Sequence, residues 1–182
     1  DMAEKKYKGR KAYLNDFRKN EKGDYEYQGI LYAWEGEKKE LQRSLLILWI
    51  LCIFMLAALA AAGCVEAPGP ANCFYVVLPY AVSFVFGISS AWGLCRLTRG
   101  GNPLRAYIYQ ASVEAIPVRT LGTMIGTAAA VLGELVFLLL NGTAKKLPEI
   151  LLFIVLEVLS FVLAGLFRKH ILQMQWKKQK IN

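Results

Sequence analysis

Histidine is nearly missing from this chain of 182 residues, with a single copy, His170. One imidazole cannot supply a histidine-rich metal centre or a catalytic dyad, and no metal or cofactor is expected. Cysteine is sparse at four residues, none of them in a C-x-x-C pair, which argues against a redox enzyme built on paired thiols. No Ser-His or paired-Asp constellation appears, so no catalytic residue is nominated. Gly100-Gly101 is followed by neither the Lys-Ser/Thr of a phosphate-binding loop nor a G-x-G-x-x-G spacing, which excludes nucleotide binding on motif grounds. The first 40 residues are highly charged and lack an apolar stretch, so no cleavable signal peptide is expected. No internal repeat is visible either.

What is present is apolar and clustered. The hydrophobic fraction of 55% exceeds the soluble average, about 45–50%, and the excess lies in long runs. A helix needs about 20 predominantly apolar residues to cross the hydrocarbon core. Four segments meet that length, at about 45–64, 74–95, 121–140 and 147–167. The first holds no charge, the third holds Glu134, and the fourth holds Glu157 at depth and Glu149 near its start. Trp49, Tyr75, Tyr80 and Trp92 lie towards span ends, some where interfacial aromatics are favoured.

The net charge of +8 would suggest nucleic acid in a soluble protein. Here the basic residues flank the apolar runs, so topology explains them and no nucleic-acid partner is expected. Lys and Arg number 11 up to Arg43, none in 65–73, 4 from Arg96 to Arg119, 2 in 141–146 and 5 from Arg168 onwards. The positive-inside rule then places both termini and the middle loop in the cytoplasm. The expectation is an all-α, four-helix transmembrane bundle of the plasma (inner) membrane, N-in and C-in. Residues 1–43 form a basic, Tyr-rich cytoplasmic region, 44–168 the four-span domain, and 169–182 a basic tail.

In the N-terminal region, Asp24-Tyr25-Glu26-Tyr27 alternates polar and aromatic residues as a strand does, and Lys22-Gly23-Asp24 reads as a turn. A small hairpin at the membrane surface is expected, with a helix over 35–43 leading into the first span. Between spans two and three, Asn102 is placed to cap a helix opening at Pro103, and 104–115 reads as an interfacial helix. Cys64 and Cys73 bracket the first outer loop, where a disulfide can persist; free thiols are the alternative. Asn141-Gly142-Thr143 matches a glycosylation pattern, but it abuts span three and reads as a helix-ending turn.

The buried carboxylates carry the one sharp expectation. Glu134 lies about 9 Å from the outer end of its span and Glu157 about 15 Å into its own, at 1.5 Å per residue. An ionisable side chain at membrane depth is a functional-site hypothesis by default. On a helical projection Thr123, Thr127, Glu134 and Asn141 share a sector of about 40°, and Gly122, Gly126, Ala129 and Gly133 share another of about 60°. The second sector holds a G-x-x-x-G spacing and is expected to pack closely against a neighbour, making span three the most enclosed helix. No basic residue lies at matching depth, so the glutamates are neutral, solvated in a cavity or bound to a cation. Two readings stand: a non-catalytic structural or accessory membrane component, or a proton- or cation-coupled transporter or channel using Glu134 and Glu157. Partners expected besides the lipid bilayer are a second copy of the chain or another membrane protein.

Overall fold

The computed structural model describes residues 14, 16–19, 23–141 and 146–180. Gly142 and Thr143 of the glycosylation pattern, Lys22 of the expected turn and all of residues 1–13 lie outside the described residues. The chain is mostly helical, and four helices are long and apolar enough to cross a membrane. These are α1 (Lys38–Cys64), α3 (Phe74–Arg99), a continuous helix ending in α5 (Ala115–Asn141), and α6 (Leu147–Gln173). A five-residue helix, α2 (Pro68–Asn72), crosses the turn between α1 and α3.

At 27 residues, α1 and α6 are each about 40 Å long, and so project beyond a hydrocarbon core of about 30 Å. α1 opens at Glu37, whose backbone N–H donates to the Glu40 carboxylate at 3.3 Å, closing the first turn. The helices form a ring in which α3 packs on α5, α5 on α6, α6 on α1, and α1 on α3. The α3–α5 seam is the most extensive and the α1–α3 seam the slightest of the four. A short loop therefore does not make α1 and α3 the tightest pair. Small residues on facing helices, rather than chain proximity, decide how closely two backbones approach. Nor is α5 more enclosed than α1 or α6, since each buries 33% of its most apolar window.

The molecule is not all-α. An N-terminal hairpin pairs β1 (Phe17–Lys19) with β2 (Tyr25–Tyr27), Phe17 opposite Tyr27. Gly23 in its turn adopts φ +89°, a conformation that suits glycine. A second, three-stranded antiparallel sheet has β3 (Ile30–Trp34) at its centre, flanked by β4 (Leu104–Arg105) and β5 (Trp176–Lys180). Its register sets Leu31 opposite Arg105 on one side and Trp34 opposite Trp176 on the other. Three segments far apart in sequence thus meet at one end of the bundle, termed here the sheet end.

Aromatic rings fill the space between sheet and bundle. Tyr32 stacks on Tyr109 with centroids 3.9 Å apart, and Trp176 meets both Trp34 and Tyr109 edge-on. Tyr27 is 9% exposed and joins the hairpin to the loop. Its hydroxyl donates to the Ile30 carbonyl at 3.1 Å and accepts from the Ala106 N–H at 3.2 Å. Arg105 lies over the rings of Phe17 and Tyr27, each 5.6 Å away.

The loop between α3 and α5 departs from expectation. Asn102 does not cap a helix at Pro103; its side-chain oxygen accepts from the Trp34 N–H at 3.1 Å instead. Leu104 and Arg105 are strand, and α4 (Ala106–Tyr109) starts after them. α4 passes through a π-helical turn (Gln110–Glu114) straight into α5, so residues 106–141 run as one continuous helix. Pro117 has no N–H to give to the preceding turn, which is where the wider π geometry sits.

Candidate functional site

The polar stripe expected on α5 is largely buried. Thr123, Thr127 and Glu134 are each 0% exposed, whereas Asn141 is exposed and donates to the Phe137 carbonyl at 3.0 Å. The threonine hydroxyls turn back on their own helix, Thr123 to the Arg119 carbonyl and Thr127 to that of Met124. Ser83 and Ser90 of α3 and Ser160 of α6 do the same. Hydroxyls that donate within their own turn have no proton left to give across helices, though they can still accept one.

The glycine face lies on α3. A Cβ added to Gly126 would come within 2.9 Å of backbone at Pro79 and Ser83, and one at Gly133 within 2.8 Å of the Tyr75 carbonyl. Gly122 sits flat against the Phe86 ring. Ala129 is half-buried beside them. This contact accounts for the α3–α5 seam.

Both carboxylates are fully buried; neither oxygen of Glu157 has a hydrogen-bond partner, whereas the Glu134 carboxylate faces the backbone N–H of Gly69. Glu134 lies beneath α2, its carboxylate against Gly69, where a side chain would collide with it. Glu157 faces inward with Ile150, Phe153 and Ala164, all buried. It is within electrostatic reach of Tyr80, whose hydroxyl crosses to the Leu59 carbonyl of α1 at 2.9 Å and whose ring centroid is 6.1 Å from that of Phe153. The two glutamates therefore have different neighbours. One sits under the turn joining α1 to α3, and the other sits where α1, α3 and α6 converge.

Cys64 is exposed and Cys73 half-buried, and both are free thiols in the structure. Near them, at the end opposite the sheet, Lys146 lies 3.7 Å from the Glu66 carboxylate. His170 falls within the last turn of α6. Among the described residues no group of three His, Cys, Asp or Glu side chains could hold a metal ion.

Two open cavities lie at the sheet end. One, of about 520 Å³, is bordered by Trp34, Glu35, Glu40, Gln173 and Gln175. The other, of about 370 Å³, opens between the end of α3 and the α4 segment, with Trp92, Arg96, Arg99, Tyr107 and Ile108 in its walls. Sequence reasoning nominated none of these residues as a site. Their one signal was a pair of arginines ending a span beside a tryptophan. Compared with protein-family models, with curated proteins and with solved structures, the chain matches none.

Proposed function

We propose that this chain is a multi-pass component of the plasma (inner) membrane, with both termini in the cytoplasm, and that it acts as a structural or accessory part rather than a catalyst. The observation that carries this reading is the three-stranded sheet, which ties the N-terminal region, the middle loop and the C-terminal tail into one cap. A cap so joined offers a fixed surface to a cytoplasmic partner. The exposed apolar residues of the helices, such as Phe54, Val85 and Leu132, suit lipid, a second copy of the chain or another membrane protein. The Lys and Arg asymmetry supports the orientation.

One observation favours a second reading. Buried polar atoms in folded proteins nearly always have partners, and an orphaned carboxylate calls for a proton, a water or an ion. Glu157 is such a group, and Glu134 is buried in the same bundle with only the Gly69 N–H facing it, which suits uptake of a proton or cation.

Flux measurement separates the readings. Purified chain in liposomes is given a pH gradient and a lipophilic cation, alongside Glu134→Gln and Glu157→Gln. The structural reading expects no gradient-driven uptake, and variants that still fold with little change in thermal stability, because Gln has the shape of a neutral Glu. Uptake by the wild type that disappears in both variants overturns it in favour of transport.

A further inference from the structure

The cavity between α3 and α4 combines three properties. First, it is positively charged without compensation. Arg96 and Arg99 occupy the last turn of α3 and border the cavity, and among the described residues neither has a carboxylate partner. Arg119 stands close behind, its guanidinium donating to the Ser89 carbonyl at 2.9 Å and within electrostatic range of Arg96. The partial charge at a helix C-terminus, about half a unit, offsets only part of one guanidinium. Both arginines are exposed, so this charge is open to an anion arriving from outside the protein.

Second, the cavity is amphipathic. Trp92 lies one turn below Arg96, about 6 Å deeper, and its ring is 5.8 Å from the Arg96 guanidinium carbon. Trp92 is 60% exposed, and Ile108 and Ala111 continue the apolar wall on the opposite side. Basic at the rim and apolar below, this arrangement matches a phosphate joined to a hydrocarbon tail rather than a free phosphate. Third, the wall that includes Ala111 is the π-helical turn, a wider helical geometry common at functional sites.

We propose that this cavity binds the headgroup of an anionic glycerophospholipid, Arg96 and Arg99 holding the phosphate and Trp92 and Ile108 the start of the acyl chains. Basic pockets between transmembrane helices take such headgroups at the membrane surface, and planar guanidinium groups suit phosphate better than point charges do. The inference requires only that the helices span a bilayer, not either functional reading.

The test is native mass spectrometry of the full chain released from bilayers of equal phosphatidylglycerol and phosphatidylcholine. The wild type is expected to retain one phosphatidylglycerol and little phosphatidylcholine. The double variant R96Q/R99Q should lower that retention about tenfold or more, and Trp92→Ala should weaken it without abolishing it. R96K/R99K, which keeps the charge but not the planar fork, should fall between the wild type and the glutamine pair, and guards against a fold defect in the latter. Millimolar inorganic phosphate should not displace the lipid. Equal retention of the two lipids by the wild type overturns the proposal, as does R96Q/R99Q behaving like the wild type. Displacement by inorganic phosphate would assign the cavity to a soluble anion and overturn the lipid.

Discussion

Gly126 and Gly165 sit on adjacent helices, yet a methyl group added to each meets opposite surroundings. At Gly126 it would press on the backbone of α3, which cannot swing aside. At Gly165 the nearest atom is the end of Met124 at 3.6 Å, ordinary contact distance. Gly126→Ala should therefore lower stability by about 1–3 kcal/mol through overpacking. Gly165→Ala should raise it by about 0.5–1 kcal/mol through helix propensity. Thermal melting of both in one detergent checks the pair; equal shifts would remove the packing argument. Tyr27 gives a pH-dependent case. Burial, partly offset by the Ala106 hydrogen bond, raises its phenol above the usual 10.0. The folded state then holds the proton more tightly than the unfolded chain, so the contribution of Tyr27 is intact below pH about 10 and declines above it. Tyr27→Phe should be less stable at pH 8 by about 1–2 kcal/mol for the two lost hydrogen bonds. The gap should narrow towards pH 11 in melts of the two proteins, whereas a constant gap would contradict the assignment. The α5 glycine face was legible in the sequence because helical periodicity is a local property. The role of Tyr27 was not, because its partners at Ile30 and Ala106 are set by tertiary pairing.

The spans were legible as elements, since each carries its own apolar length. The N-terminal hairpin was legible too, from alternation and a turn. The three-stranded sheet was not. Trp176–Lys180 is mostly charged and shows no strand pattern of its own, and Leu104–Arg105 is too short to show one. Each becomes a strand only because Ile30–Trp34 offers an edge on both sides. Asn102 misled for a related reason: a side chain suited to capping was used to bond the Trp34 N–H. The register gives a direct check. Ala33 and Lys177 are directly opposed, so cysteines at both positions, in a chain whose native cysteines are replaced, should oxidise readily to a disulfide. Cysteines at Ala33 and Lys178 point to opposite faces and should cross-link far less. Similar yields from both pairs would refute the register.

At the scale of the whole molecule, the two ends of the bundle are held differently. The sheet end is bound by backbone pairing, while the other is held by α2 and the exposed Lys146–Glu66 pair, worth at most about 1 kcal/mol. The proposed orientation puts that looser end outside. A membrane-impermeant maleimide on intact cells should then label Cys64 without lysis, and Cys95, in the wall of the sheet-end cavity, only after it. Labelling in the reverse order would invert the topology. The candidate sites divide the same way. Glu134 and Glu157 could be found from sequence because a charge in an apolar run stands out; the Arg96–Arg99 cavity needed the π-helical turn, which no local pattern announces. The pairing of Trp34 with Trp176 also constrains biosynthesis. β3 is translated before any span, and β5 after all four. The strand must wait with one edge open until residues 176–180 have been made, because the loop between the two strands cannot close earlier. A truncated product would keep its four helices and display that unpaired edge, a ready mark by which proteolysis could tell a broken chain from a finished one.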